Sequence, residues 1–317
     1  MKKILCLLII AGAMISCETF QENGSADEAS WIEKAQLPIT IGAGGAAVSA
    51  GKIFHFGGNS GYGAYVDTVL AYIPSKDIWE EKTPMPTARK NMAVTSVDGK
   101  IFVIGGDAFQ DTNEMYDPET DLWESRAPMP TKRQHIKGAS VNGRIYIIGG
   151  LEDWETVSVK NESYNPENNT WTEMAQIPVP KHNYSAAVIG TRIYIVGGAT
   201  KSGGDIWKDT DTIECYDTID DSWETVFTMP EVRFSPGISV VNECIYIIGG
   251  FINGVVSDKV FVYNPQTNEY YESESLPLRN VFMGSVSIDN RLYVFGGTGG
   301  PGNDWSSYDT LLTFDSQ

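Results

Sequence analysis

The feature that most constrains this chain is a pair of adjacent glycines that closes a short apolar segment and recurs six times. In each of the six segments an aliphatic residue is followed by an aromatic one: IFHFGG (53–58), IFVIGG (101–106), IYIIGG (145–150), IYIVGG (193–198), IYIIGG (245–250) and LYVFGG (292–297). Self-similarity at a period of about 45 residues is the signature of a repeat architecture, in which one small unit is stacked many times. We therefore expect six structurally equivalent units.

Two aromatic positions keep a fixed distance from each glycine pair. Twenty-six residues before the first glycine stand Trp31, Trp79, Trp123, Trp171, Trp223 and Tyr270. Seven residues before the last five of these stand Tyr72, Tyr116, Tyr164, Tyr216 and Tyr263. Short β-branched and aromatic runs separated by Gly, Pro, Asp and Asn clusters indicate strands joined by tight turns. Each unit is thus predicted to contain a small-residue strand, an aliphatic strand ending in Gly-Gly, a Tyr-bearing strand and a Trp-bearing strand.

This pattern resembles the kelch repeat, and it covers residues 30–317. Kelch repeats form the four-stranded blades of β-propellers, so the resemblance implies an all-β, six-bladed propeller. The predicted blades are about 41–86, 87–130, 131–178, 179–230, 231–277 and 278–317, the last completed by residues 30–38. Because the chain opens with a lone Trp-bearing strand and ends without one, we expect the N-terminal strand to close the ring. Closure removes the open sheet edges that invite aggregation.

Composition narrows the function classes. Asp and Glu number 41 against 23 Lys and Arg, a formal charge of -18, which disfavours a nucleic-acid or anionic membrane surface. A hydrophobic content of 42% excludes global disorder. No C-x-x-C or H-x-x-x-H spacing supports a metal site, and we expect no cofactor. Cys215 and Cys244 fall in different repeats and are expected to be unpaired thiols, although export would permit a disulfide.

The N-terminus predicts export. Residues 1–16 form a predicted signal peptide, because two lysines precede an apolar stretch (4–13) that is too short to span a bilayer. The segment MISC (14–17) resembles the lipobox of bacterial lipoproteins, with Cys17 as the lipidated residue; the alternative is an ordinary signal with a chance cysteine. Residues 17–29 would then be a polar, lipidated tether. We expect an exported lipoprotein, periplasmic or at the cell surface, that meets the membrane only through its lipid anchor.

A set of basic residues precedes the glycine pairs at a constant distance. Sixteen residues before the first glycine stand Ile41, Arg89, Arg133, Lys181, Arg233 and Asn280. In kelch propellers this loop position lines the mouth of the central channel, so the resemblance implies a cationic ring, with His182 beside it, suited to a carboxylate or phosphate. The alternative is that these cations pair with acids of neighbouring blades, for which Asp107 and Glu152 are candidates.

The variable connections between second and third strands carry three tryptophans outside the repeat pattern: Trp154, Trp207 and Trp305. We expect them to form an aromatic rim on the same face together with Tyr62, Tyr65, Phe109 and Tyr308. Aromatic rims stack on sugars and anchor protein partners equally well. The alternative is that some of these rings pack under their own loops. His55 replaces an aliphatic residue of the other repeats and is expected in the core or the channel lining.

Two function classes remain open. The first is a monomeric, exported binding protein that uses the basic mouth and the aromatic rim to bind an anionic small molecule or glycan. If such a protein also catalyses a reaction, it resembles the N-acetylneuraminate epimerases (mutarotases). Proton transfer would then fall to Asp107, Glu152 or His135. This chain departs from those enzymes because it lacks their long insertion between blades. The second is a protein-interaction module that takes an acidic protein segment. A galactose-oxidase-like copper enzyme is disfavoured. Such an enzyme needs a Tyr–Cys cross-link and two His ligands, and neither Cys215 nor Cys244 lies in a predicted pocket loop.

Overall fold

The structure is a computed structural model that describes residues 30–60, 64–202, 206–299 and 306–315. Every regular element in these ranges is a β-strand, and six sheets contain four antiparallel strands each. Three additional two-stranded hairpins lie between the second and third strands of the first, fourth and fifth blades. The prediction of an all-β, six-bladed kelch propeller is confirmed.

The strands follow one another blade by blade. The first half of the chain contains β1 (Ile32–Lys34), β2 (Gly45–Ser49), β3 (Lys52–Phe56), β4 (Asn59–Ser60), β5 (Ala64–Tyr65), β6 (Val69–Ile73), β7 (Ile78–Lys82), β8 (Ala93–Val97), β9 (Lys100–Ile104), β10 (Asn113–Asp117), β11 (Leu122–Ser125), β12 (Gly138–Val141), β13 (Arg144–Ile148), β14 (Asn161–Asn165) and β15 (Thr170–Met174). The second half contains β16 (Ser185–Ile189), β17 (Arg192–Val196), β18 (Ala199–Ser202), β19 (Ile206–Asp209), β20 (Thr212–Asp217), β21 (Ser222–Thr228), β22 (Gly237–Val241), β23 (Cys244–Ile248), β24 (Phe251–Ile252), β25 (Val255–Val256), β26 (Val260–Asn264), β27 (Glu269–Ser273), β28 (Gly284–Ile288), β29 (Arg291–Phe295) and β30 (Leu311–Asp315). The six blades are β2-β3-β6-β7, β8-β9-β10-β11, β12-β13-β14-β15, β16-β17-β20-β21, β22-β23-β26-β27 and β28-β29-β30-β1.

The two ends of the propeller meet in the sixth blade. Strand β1 pairs antiparallel with β30, with Ile32 opposite Thr313. The ring of Trp31 lies 5.1 Å from that of Phe314, and its Nε1 donates to the Glu274 carbonyl of the fifth blade at 3.2 Å. The innermost strands β28 and β2 are in contact, as are those of the other neighbouring blades. The predicted closure by the N-terminal strand is therefore confirmed.

The hydrophobic core is divided into six clusters, each between two neighbouring blades. Between the first and second blades, for example, Phe54 and Phe56 pack against Ile101, Val103 and Tyr116. The other five clusters repeat this arrangement around the ring. Because burying one large apolar side chain contributes roughly 1.5–3 kcal/mol, the walls between blades hold most of the stabilising free energy.

The glycine pairs connect each blade to the next. In all six, the second glycine N–H donates at 2.7–3.0 Å to the carbonyl of the residue sixteen positions before the following pair, and Gly297 to Ile41 completes the circle. The first glycine has φ between 55 and 64°, and a Cβ there would lie 2.2–2.7 Å from the same carbonyl oxygen. A side chain cannot occupy that space, which explains why the pair is repeated.

The repeated aromatic residues tie the outer strands together. Trp123 Nε1 donates to the Thr83 carbonyl of the preceding blade at 3.0 Å. The hydroxyl of Tyr116 donates to Asp121 at 2.6 Å, and the same carboxylate accepts the backbone N–H of Thr83 at 3.0 Å. Equivalent bonds recur in the other blades. Tyr and Trp are thus explained by contacts between blades.

The sequence also makes predictions for the two cysteines and for the N-terminal segment. Cys215 and Cys244 are buried and are not joined in a disulfide, as expected, and burial raises the pKa of Cys215 to about 11. The predicted signal peptide, the tether and Cys17 lie outside the described residues. Within the ranges that the structure describes, no helix has the length and apolar character needed to cross a bilayer.

Candidate functional site at the channel mouth

The four basic side chains predicted to line the mouth lie inside the walls between blades. Arg89, Arg133, Lys181 and Arg233, here called the wall cations, each have a relative exposure of 0%. The prediction that they form an open anion-binding ring is therefore wrong. Each side chain donates to a main-chain carbonyl of its own blade, as Arg133 Nη1 does to Gly149 at 3.0 Å and Lys181 Nζ does to Thr212 at 3.1 Å.

Three wall cations are neutralised by glutamates of the third strand. Arg89 Nη2 lies 2.7 Å from Glu114 Oε2, and Arg133 Nη2 lies 2.5 Å from Glu162 Oε2. Lys181 makes the same ion pair with Glu214. These residues therefore form structural ion pairs, as the alternative held. The acids belong to the same blade and not to a neighbouring one, and they are not the predicted Asp107 and Glu152. An external anion would have to displace a buried carboxylate in each wall.

Arg233 departs from this pattern. Its third-strand neighbour is Phe261, whose ring centroid lies 4.7 Å from the guanidinium carbon. Its ion-pair partner is Glu231 at 3.7 Å, and Nη1 donates to the Gly249 carbonyl at 2.7 Å. A cation over an aromatic face is stabilised by the ring quadrupole, so this arginine also belongs to the wall.

The mouth is formed by residues two positions further along each repeat. Fourteen residues before the first glycine stand Ala43, Asn91, His135, Asn183, Ser235 and Phe282, here called the mouth ring. All six have φ between 48 and 57°, a left-handed conformation that non-glycine residues adopt at a cost and mainly where surrounding structure imposes it. All six line one small cavity on the channel axis.

Backbone hydrogen bonds connect the mouth ring from blade to blade. Asn91 N–H donates to the Ala43 carbonyl at 3.0 Å, Asn183 N–H to that of His135 at 3.3 Å, and Ser235 N–H to that of Asn183 at 2.8 Å. Ala43 N–H donates in turn to the Phe282 carbonyl at 3.0 Å. The positions of the side chains around the mouth are consequently fixed by main-chain geometry.

Two histidines of this face are joined through an asparagine. His135 Nδ1 lies 2.8 Å from Asn183 Oδ1, and Asn183 Nδ2 lies 2.9 Å from His182 Nδ1. Because an amide nitrogen donates and its oxygen accepts, His182 Nδ1 is the acceptor and His135 Nδ1 carries a proton. In the neutral form of His135, Nε2 therefore keeps its lone pair.

Both imidazoles are held neutral at pH 7. Desolvation by burial lowers the pKa of His135, and it lowers the pKa of His182 to about 3, with the nearby His135 as a smaller contribution. The two ring centroids are 6.0 Å apart. The structure thus brings together two residues that the sequence singled out, His135 as a proton-transfer candidate and His182 as a ligand-binding candidate.

The predicted acidic candidates have different surroundings. Asp107 is 5% exposed, accepts from Asn91 Nδ2 at 2.8 Å and lies 3.7 Å from Lys90 Nζ. Desolvation and the Asp107 carboxylate raise the pKa of Tyr65, which hydrogen-bonds to it. Glu152 lies in the connection after Gly150 and accepts from Ser158 at 2.6 Å. Asp107 therefore belongs to the mouth, where polar partners already occupy its oxygens.

Aromatic side chains flank the mouth on the blades that carry the histidines. Trp207 is 44% exposed and lies edge-on to His182 with ring centroids 4.7 Å apart. Trp154 is 66% exposed and lies 5.1 Å from Phe109. Lys201 sits 4.8 Å above the Trp207 ring. Trp305 and Tyr62, also predicted for this rim, lie outside the described residues.

His55 and Lys137 occupy two further special positions near the axis. His55 is 3% exposed, in agreement with a core role, and its Nε2 donates to the Gly57 carbonyl at 3.1 Å. Lys137 lines both the mouth and a cavity of about 120 Å³ directly below it. Lys137 and the mouth ring, apart from His135, are not among the site residues predicted from the sequence. They stand at constant distances of twelve and fourteen residues before the glycine pairs, and that spacing is the signal that could have identified them.

Comparison with known proteins agrees with this architecture. The sequence matches the family models described as "Calicin, beta-propeller domain" over residues 50–243 and "Kelch motif" over residues 233–277. The fold and the repeat define a six-bladed kelch propeller. Because the first match covers more than half of the chain, the chain belongs to the kelch β-propeller family. This fold supports a binding or protein-interaction role.

Individual relatives are similar over short segments. Beta-scruin of Limulus polyphemus is 28% identical over 93 residues, 27% of this chain and 10% of that protein. Kelch-like protein 33 of Homo sapiens is 30% identical over 95 residues, 29% of this chain and 18% of that protein. The matched segments thus span less than a fifth of these relatives. The solved structure of YjhT superimposes with a TM-score of 0.76 and 14% identity, over 89% of this chain and 97% of that one, which shows a shared fold.

Among the residues that the structure describes, no three His, Cys, Asp or Glu side chains are grouped in a way that could hold a metal ion.

Proposed function

We propose that this propeller is a binding protein that takes a glycan into the channel mouth, between the mouth ring and the aromatic rim. The observation that carries the proposal is the hydrogen-bonded chain His135–Asn183–His182 with Trp207 packed against its end. This arrangement places fixed polar groups beside an exposed aromatic surface. Polar groups that orient a ligand and aromatic rings that stack on it are the usual components of a small-ligand site.

The mouth offers complementary hydrogen-bonding groups to a polyhydroxyl ligand. His135 Nε2 can accept from a ligand hydroxyl, since its Nδ1 is already bonded to Asn183. Ser235, in the fifth position of the mouth ring, contributes a hydroxyl that can donate or accept. Because the backbone of the ring is fixed by bonds between blades, these groups lose little conformational entropy on binding.

The proposal is tested by thermal melts of the full chain against a panel of neutral and acidic sugars. A ligand at one hundred times its Kd stabilises the folded state by about 2.7 kcal/mol, a shift of a few degrees. We expect His135→Ala to abolish the shift while the melt of the free protein changes little. The matched control is Leu122→Ala, because Leu122 is 64% exposed at the start of β11. An equal ligand-induced shift in His135→Ala would overturn the proposal.

A second candidate is a mutarotase-like sugar isomerase, favoured by the free Nε2 lone pair of His135. A neutral imidazole at the mouth can act as a general base on a sugar hydroxyl. Exchange of anomers measured by NMR separates the two functions, since a binding protein leaves the spontaneous rate unchanged. If no sugar stabilises the chain, an acidic protein segment becomes the ligand to test.

A further inference from the structure

One lysine stands in the channel where the other five blades have small residues. Twelve residues before the first glycine the six repeats carry Gly45, Ala93, Lys137, Ser185, Gly237 and Gly284. These residues lie at the start of the innermost strands, immediately below the mouth ring. Lys137 lines both the mouth cavity and the cavity of about 120 Å³ beneath it. The five small residues leave this space open, so the lysine is the bulkiest group at its level.

The ammonium group of Lys137 has no negative partner among the residues that the structure describes. Of the described residues that line the two cavities, none is acidic. The ion pairs found among the described ranges do not include Lys137, and the Asp107 carboxylate at the mouth is bonded to Lys90 and Asn91. His135 is neutral and adds no negative charge. Within the described part of the channel, the charge of Lys137 is therefore unbalanced, in a chain with a formal charge of -18.

An unpaired, partly desolvated ammonium is unfavourable unless an anion approaches it. Desolvation alone lowers the pKa of Lys137, in agreement with a position where water is scarce. Each wall cation of the second to fourth blades meets the same requirement with a glutamate of its own blade. Lys137 has no such residue, yet it lies beside an open cavity that communicates with the mouth. No described residue balances its charge, so an anion that enters the channel can do so.

We propose that the channel below the mouth ring is a carboxylate-binding site in which Lys137 Nζ donates to the carboxylate oxygens. The site lies beneath the proposed glycan site but does not require a glycan to bind. The carboxylate can belong to a free small acid or to a larger ligand whose remainder occupies the mouth. Both approach from the same face and make the same ionic hydrogen bond, which is the strongest kind available to a lysine.

The test is titration of the full chain with sodium acetate, followed by NMR of the lysine ε-methylene groups, with sodium chloride as the matched salt. We expect one lysine signal to move with acetate and to be missing from the spectrum of Lys137→Ser. Calorimetry should show acetate affinity falling by about tenfold or more in Lys137→Ser and largely retained in Lys137→Arg. Serine is the residue of the fourth blade at this level, so the variant is expected to fold. Lys100→Met is the control for loss of a surface charge, because Lys100 pairs with Asp117 in the second blade.

Unchanged acetate affinity in Lys137→Ser would overturn the proposal, as would equal signal movement with chloride and acetate. This result differs from a failure of the proposed glycan site. If only the glycan site is wrong, neutral sugars do not bind and the acetate titration is unchanged. The source of the carboxylate is decided by competition with a sugar acid. Displacement of the sugar acid by acetate supports a carboxylate carried by the larger ligand. Acetate binding without displacement supports a free small acid.

Discussion

The walls between blades and the mouth of the channel are built from residues only two positions apart in each repeat. The wall cations, sixteen residues before the glycine pair, are completely buried and bonded to their own blade. The mouth ring, fourteen residues before the same pair, has left-handed backbone geometry and surrounds the channel axis. A basic residue in a repeat is therefore not evidence of a binding site until its direction is known.

The six repeats also explain why the cations occur where they do. At the third-strand position facing the wall, the blades carry in order Leu70, Glu114, Glu162, Glu214, Phe261 and Leu312. A wall cation is present only where this position holds a glutamate or a phenylalanine. The mouth ring shows no such pairing and changes from alanine to histidine to phenylalanine. Wall residues should therefore control stability, and mouth residues should control ligand binding.

The largest expected effect comes from removing the closing strand. Deletion of residues 30–38 takes away β1 and Leu37, whose N–H donates to the Asp309 carbonyl at 2.7 Å. It leaves β30 as an open edge, so we expect the cooperative thermal transition to be lost in circular dichroism. Truncation before Trp31, upstream of the first repeat residue, serves as the control and should leave the melt unchanged. A normal melt after deletion of 30–38 would show that the ring does not need its closing strand.

Removing a wall glutamate should cause the next largest loss of stability. Glu162→Ala leaves Arg133 buried without its carboxylate, and removing one member of a buried ion pair costs about 3–5 kcal/mol. Urea titration measures this loss. Glu173→Ala is the matched control, because Glu173 pairs with Lys160 at the surface and such pairs contribute under about 1 kcal/mol.

Glu162→Ala also tests whether wall residues affect ligand binding at the mouth. Sugar and acetate affinity should be unchanged in folded Glu162→Ala below its melting temperature. Loss of ligand binding with retained stability would mean that Arg133 serves the ligand after all, and the distinction between the two rings would fail.

The buried His55 should make the stability of the folded chain depend on pH. Desolvation lowers its pKa from 6.5 to about 4, so between those values the unfolded chain takes up a proton that the folded chain does not. Stability from this group is therefore complete above pH 6.5 and decreases as the pH falls towards 4, by about 3 kcal/mol at most. We expect His55→Ile, which has the residue of three other blades, to show a shallower loss of stability between pH 6.5 and 4. Equal slopes for the two proteins would contradict the buried, neutral histidine.

The sequence was sufficient for the fold because each repeated residue has a fixed role between blades. Gly-Gly at 57–58 and its equivalents are required by a close approach of the next blade. Trp123 bonds across to the preceding blade, and Tyr116 donates to Asp121, which accepts the Thr83 N–H of that blade. Such contacts depend on order and spacing alone. Ring closure could be predicted for the same reason, because the first repeat strand in the chain is the Trp-bearing strand that the last blade lacks.

The site could be predicted only in part. His135, His182 and Trp207 were selected from residue type and loop position, and the structure brings them together. Arg89 was misplaced because spacing gives a position along the repeat but not the direction of a side chain. The left-handed turn at Asn91 decides that direction, and nothing in the composition of the loop reveals that an asparagine, rather than the arginine two residues earlier, faces the channel.

The smallest effect on stability is expected for Trp207→Ala, which concerns the mouth. Trp207 is 44% exposed, so its removal should cost under about 1 kcal/mol in the free energy of unfolding. It also uncovers His182, whose pKa should rise from about 3 towards its ordinary value, and NMR titration of the three histidines can follow this. Sugar affinity should fall by about tenfold through loss of stacking. A loss of several kcal/mol with unchanged affinity would instead place Trp207 with the wall, and the separation of a stabilising wall from a binding mouth would no longer hold.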